Sequence, residues 1–292
     1  MPDARCQAAH RVARSGNADL MVQSTPGSAR GMRGCSPPSA THVLMRLRRV
    51  APPLSSSMNG ESPVSLRILP GLTTDPVFDW RRKVAEIDEC GLREISLFPT
   101  WLEPAERAEL YAALERTAIE AIPHVHLRHD VDRMEADYLI RRFHTEVFNI
   151  HAYDATIDFL RANPDLQAMT YVENTRALDE PFLRALPLCA GLCVDFTHLH
   201  DYWVLRRVPE YDGFDEYLAQ YPIGCCHIGA IRDKLWFVDG EMAYESHYME
   251  DISQLEYLRA HLHLLPDLVS IELINGLSEQ TAVVEFIRRA MA

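Results

Sequence analysis

Four short apolar runs in this chain each end in a residue capable of chemistry: Glu173 in YVENT, Asp195 in CVDFTH, His227 in CCHIG and Glu272 in SIELIN. Three carboxylates and one imidazole, if brought together away from water, would repel strongly unless a cation sat among them. A divalent ion is the simplest resolution. Mixed carboxylate and imidazole ligands suit Mn2+, Mg2+ or Co2+ in an open octahedral site and also tolerate Zn2+. Each residue also has a plain structural use. A lone Glu at a strand end commonly serves as a cap or ion-pair partner, and a single His within an apolar run, such as His124, is commonly a hydrogen-bonded core residue. Only convergence of the four turns them into a site.

The elements that would make them converge are legible from residue 65 onward, where short β-branched or apolar runs alternate with longer amphipathic segments. The strand candidates are 65–71, 94–100, 121–127, 146–152, 169–175, 192–198, 223–230 and 269–275. Helices are expected between them, among them 104–120, with Pro in its first turn, and 278–292, opened by a Ser-x-x-Thr cap. This alternation predicts a parallel sheet wrapped by helices. Eight such units over some 230 residues predict a (β/α)8 barrel, an α/β fold, spanning 61–292. An open doubly wound sheet is the rival, but the first strand ends in LPGLTTDP, with no glycine-rich phosphate-binding turn. In a barrel the carboxyl ends of the strands carry the site. Glu173, Asp195, His227 and Glu272 would then meet at one rim, with His126, His151 and His198 near them.

Charge divides the chain. Residues 1–60 hold eight Arg, no Lys and two Asp, or +6 of a total of −13, which leaves −19 for the remainder. The first segment is rich in Arg, Ser, Pro and Gly without sustained periodicity and is expected to be a disordered basic extension. Its composition is compatible with an organelle transit peptide, and Met58 is an equally good natural start. The acidic remainder argues against nonspecific nucleic-acid binding. No stretch approaches the roughly 20 apolar residues that span a bilayer. The seven Cys, an odd number without a CxxC pair, fit neither a disulfide framework nor a zinc ribbon. A reducing, cytoplasmic setting is expected.

The fragments VENT (172–175), CVDFTH (193–198), CHIGA (226–230) and SIELIN (270–275) resemble the metal-binding strand ends of the xylose isomerase-like barrel superfamily, which contains sugar isomerases, ketose epimerases and endonuclease IV. The resemblance implies that Glu173, Asp195, His227 and Glu272 are metal ligands and that His198 binds substrate or a second metal. For the isomerase and epimerase branch it implies a small sugar-like substrate, reaction through an enediolate, and Glu173 and Glu272 as proton-transfer groups. His126, His151 and Arg232 join His198 as candidate substrate contacts. Epimerases place an Arg shortly after the strand-seven His, and here Arg232 comes five residues after His227 and is followed by Asp233. The endonuclease branch is the alternative. It would use His126, His151 and the pair Glu245 and His247 for additional zinc ions, but the barrel's negative charge and expected short loops offer little to grip DNA. A barrel that binds a metabolite without catalysis is the third reading. His200 is expected at the surface, and oligomeric state is left open, a homo-oligomer included.

Overall fold

The computed structural model describes residues 66–292 apart from Val77 and Asp239. The expected basic extension and the alternative start at Met58 lie outside the described residues. In chain order the strands are β1 (Arg67–Leu69), β2 (Gly71–Thr73), β3 (Glu94–Phe98), β4 (Ala121–Leu127), β5 (Val147–Ile150), β6 (Thr170–Glu173), β7 (Gly191–Asp195), β8 (Ile223–Ile228), β9 (Ala230–Val238), β10 (Glu241–Ser246) and β11 (Leu268–Ile271).

β1 and β2 are two halves of one stave. β1 pairs in parallel with β11, and β2 pairs in parallel with β3. The break falls at Pro70, which has no N–H to give to a ladder, while its carbonyl still accepts from Ser96 N at 3.0 Å. One stave thus bonds each neighbour in turn and closes the ring β1/β2, β3, β4, β5, β6, β7, β8, β11. That is a (β/α)8 barrel of eight parallel staves among the described residues.

The seam needs two particular residues. A Cβ at Gly71 would collide with the carbonyl oxygen of Ile271, so the close approach of the first and last staves requires glycine. Gln280, fully buried on the helix Leu277–Met291, accepts from Gly71 N at 2.7 Å. Its amide nitrogen shares hydrogens among the carbonyls of Gly71, Leu273 and Asn275 at 2.9 to 3.1 Å. The last helix therefore finishes hydrogen bonds that the strands leave open where they part.

Strand alternation sorts the side chains. Val172, Val194, Ile228 and Ile271 face the helix layer and join one apolar cluster, while Val125, Phe148 and Ile150 join another. Each such side chain, fully buried, contributes roughly 1.5–3 kcal/mol. The residues between them in sequence face inward. Near the amino end of the barrel these include Leu69, Cys193, Cys225 and Leu268, and toward the carboxyl end they become polar.

Three local expectations change. The helix expected over 104–120 stops at Leu114, and Ile119 is buried beyond it. The last helix starts at Leu277 with Gly276 in the cap position, so Ser278 lies inside it. Glu279 reaches back to Gly276 N at 3.0 Å and does the capping. Nor are the loops uniformly short. After β8 the chain builds an antiparallel hairpin, β9 with β10, which the local run of charged and aromatic residues concealed.

Candidate metal centre

Each member of the sequence-derived set stands at or just past the carboxyl end of a different stave. Glu173 ends β6, Asp195 ends β7, His227 is the penultimate residue of β8, and Glu272 follows β11 directly. Asp195 ends its strand because its Oδ1 accepts from Thr197 N at 2.7 Å and His198 N at 2.9 Å, capping a helical stretch that starts at Phe196. The other carboxylate oxygen, Oδ2, is buried with no hydrogen-bond partner. Asn174 holds this corner: its Oδ1 accepts from Asp195 N at 2.8 Å and its Nδ2 donates to Asp195 O at 3.0 Å, imitating the next rung of the ladder.

Ligand atoms of Glu173, Asp195, His227 and Glu272 lie within 4.8 Å of one another, and all four residues are buried. His227 Nδ1 is 3.0 Å from Glu272 Oε2 and 3.5 Å from Glu173 Oε2. Yet neither ring nitrogen is in hydrogen-bonding geometry. The ring of Phe98 meets His227 edge-on with centroids 4.9 Å apart and supplies an apolar wall.

Electrostatics agree with that geometry. Burial pushes the Glu173 carboxyl up, but His151 and His227 beside it win and hold it well below the usual carboxylate range. Burial likewise opposes ionisation of Glu272, which His247 and His227 bring down to about 2. Asp195 is pushed up, chiefly by burial. His227 is driven well above its ordinary value by Glu173 and Glu272 despite burial. The acids demand positive charge, and in the bare protein that demand falls on imidazoles. A divalent cation would meet it and leave the rings neutral, as ligands. Asp195 Oδ2 and His227 Nε2, both buried without a hydrogen-bond partner, and the oxygen-rich donor set fit such an ion.

Two further groups flank this one. His126 and His151 join Glu173 within the same 4.8 Å limit. His151 Nε2 is 3.3 Å from Glu173 Oε1, His126 Nε2 is 3.9 Å from Oε2, and His126 Nδ1 is buried without a partner. In the second group His198 Nδ1 bonds Glu245 Oε2, and His198 Nε2 is 3.7 Å from Asp195 Oδ2 and 4.0 Å from Glu173 Oε1. His247 Nδ1 donates to the Glu272 carbonyl at 3.3 Å. Glu245 and His247 arrive here because the β9–β10 hairpin folds back: Asp201 Oδ2 accepts from the backbone N–H groups of Tyr244 and Glu245 at 3.0 and 3.3 Å. Burial opposes the charge on His198, but Asp195 and Glu245 raise it to about 10.

The structure brings together nine of the ten candidate residues. Arg232 is on β9, with its guanidinium 4.2 Å from the Trp236 ring and 3.1 Å from Glu250, and both contacts lie outside the quartet. The strand expected over 192–198 ends at Asp195, and His198 lies in the first turn of the helical stretch, the Leu199–Leu205 part of which has π-type bonding. His200 is not a surface residue. It is half-buried, with Nδ1 3.1 Å from His261 Nε2 and its ring near Tyr257. Asn149, whose Nδ2 donates to Glu173 Oε2 at 2.6 Å, was passed over in the sequence. Its signal was a polar residue at an inward position of an otherwise apolar strand.

No family model and no curated protein matches the chain. Among solved structures it is similar to a xylose isomerase domain protein from Planctomyces limnophilus, at 10% identity and a TM-score of 0.42, covering 76% of this chain and 95% of that one. The barrel itself rests on the register of the staves. No helix among the described residues is long and apolar enough to cross a membrane.

Proposed function

We propose that this chain is a divalent-metal-dependent isomerase or epimerase acting on a small polyhydroxylated carbonyl compound. The observation that carries the metal is the convergence of four buried ligand groups with Asp195 Oδ2 left unpaired. Glu173, Asp195, His227 and Glu272 would hold the cation, as Mn2+, Mg2+, Co2+ or Zn2+. Bound there, it would polarise a carbonyl and a neighbouring hydroxyl and acidify the C–H between them. Glu173 and Glu272, on different staves beside that point, would take and return the proton, and His198 would hydrogen-bond the substrate's oxygen. The sequence from residue 61 carries −19, which favours an uncharged polyol over a polyanion. Nucleic acid is therefore a poor partner.

A second reading is favoured by one specific observation, the two histidine groups next to the quartet. His126 and His151 sharing Glu173, and His198, Glu245 and His247 beyond Asp195, would suit a multinuclear zinc centre for phosphoester cleavage. Metal analysis and two assays decide. The first reading expects about one tightly held ion per chain, exchange of a solvent proton into a ketose, and loss of the ion in Glu173→Gln with Asp195→Asn. Two or three zinc ions, phosphodiester cleavage and an inactive His151→Ala would replace it with the second. A double variant with the same metal content as wild type would end both.

A further inference from the structure

One step deeper in the barrel than the quartet, where bulky branched apolar residues usually fill the interior, three polar side chains stand in a row that ends on Glu173. Ser270 Oγ is 2.7 Å from His124 Nδ1, His124 Nε2 is 3.0 Å from Asn149 Oδ1, and Asn149 Nδ2 is 2.6 Å from Glu173 Oε2. Ser270, His124 and Asn149 are fully buried. Polar groups so placed are costly unless every one is satisfied, and here each finds its neighbour.

The row has a direction. An ionised carboxylate only accepts, so Asn149 must turn its amide nitrogen to Glu173 and its oxygen to His124. That oxygen also only accepts, so the ring proton of a neutral His124 sits on Nε2. Nδ1 is left as an acceptor, and the Ser270 hydroxyl donates to it.

We propose that Ser270, His124 and Asn149 form a directional hydrogen-bond chain that positions Glu173 as a cation ligand and fixes His124 as the Nε2–H tautomer. The chain reaches across the barrel: Ser270 is on β11, His124 on β4, Asn149 on β5 and Glu173 on β6. It holds Oε2 on the side of Asn149 and His227 and leaves Oε1 to His151. His124 is thus a positioning residue that acts through Asn149. A soft cation held by His124, Cys193 and Cys225, whose ligand atoms also cluster within 4.8 Å, would compete for the same ring. Both ring nitrogens are already engaged, so such an ion would have to break the chain. The proposal rests on the metal reading above only for its consequence; the tautomer follows from hydrogen bonds alone.

The test has two readouts on the full-length protein. Nitrogen-15 NMR of histidine-labelled protein, with the His124 signals assigned by their loss in His124→Gln, reports which ring nitrogen is protonated. Competition with a chelator reports Mn2+ affinity. The proposal expects the proton on Nε2. It expects Asn149→Leu and His124→Leu to weaken Mn2+ binding roughly 10-fold or more, as loss of an outer partner of a metal ligand does. His124→Gln, which keeps a donor toward Asn149, should restore most of that affinity. A wild-type ring protonated on Nδ1, or a folded His124→Leu protein binding Mn2+ like wild type, would overturn it. If the leucine variants fail to fold, the tautomer alone decides. If wild type binds no Mn2+, the positioning role falls with the metal reading, while an Nε2 proton would still uphold the direction of the chain.

Discussion

Arg107 and Asp195 are each 1% exposed, but their surroundings differ in kind. Arg107 gives both arms of its fork to Glu135 at 2.7 Å, and its Nη1 reaches Asp130 at 3.0 Å and the Leu102 carbonyl at 3.0 Å. Tyr111 adds a hydroxyl to Glu135 at 2.6 Å. A guanidinium facing two carboxylates is finished from within the chain. Asp195 has one oxygen spent on a helix cap and the other unpaired, and the close ion pairs of its quartet are with imidazoles. Burial with complete pairing marks a device of the fold. Burial with clustered donors left over is what a site for an added cation would require.

The sharpest way to break this contrast is Arg107→Met. Removing Arg107 leaves Glu135 without its cation and Asp130 with Arg128 alone, at a cost of about 3 kcal/mol. Urea unfolding should show that loss, while Mn2+ affinity in the folded variant stays at the wild-type value. A variant as stable as wild type would mean that the network is ornamental.

The quartet should respond the other way. Asn at 195 can still cap the helix through its carbonyl oxygen, and the change removes a buried charge. Asp195→Asn should therefore leave the metal-free protein as stable as wild type or slightly more so. Saturating cation should then stabilise wild type by about 2.7 kcal/mol at a hundredfold excess over Kd, and the variant by far less. Thermal unfolding with EDTA and with Mn2+ reads both. If the metal-free variant were the less stable of the two, the quartet would resemble Arg107 and the contrast would fail.

How much of this was legible in the sequence follows from the range of the interactions involved. Stave ends announce themselves locally, because an apolar run must stop where an inward polar residue begins; Glu173, Asp195, His227 and Glu272 were readable for that reason. The path of the chain after a stave is set by partners distant in sequence. Glu245 meets His198 across 47 positions, through a hairpin anchored by Asp201. Arg232 stacks on Trp236, only four residues away, but that pairing needs β9 as a strand, which its charged and aromatic run concealed. His200 was misread because Tyr257 and His261, which cover it, come from a segment some sixty residues away. Asn149 within β5 and Asn174 just past β6 were missed because an amide there has no fixed meaning until its partners are known.

Lys83 lies between the two extremes and gives the smallest expected effect. Its Nζ donates to the carbonyls of Thr73 at 3.1 Å and Leu273 at 2.9 Å, beside the barrel seam. Burial pushes it down to about 7, with the more distant Glu86, Asp75 and Glu279 pulling the other way. The folded value lies below that of the unfolded chain, so from about pH 7 to 10.5 the unfolded chain holds a proton that the folded protein does not. Stability must then rise with pH across that window. Lys83→Met lacks the titrating group, so wild type should gain on it by roughly 1 kcal/mol between pH 7 and 8. Urea unfolding of both proteins at the two pH values isolates the term, since other titrations cancel in the difference. A flat difference would mean that carbonyl dipoles keep this lysine charged without a carboxylate beside it, and the line between finished and unfinished charge would then have to be drawn at backbone oxygens as well.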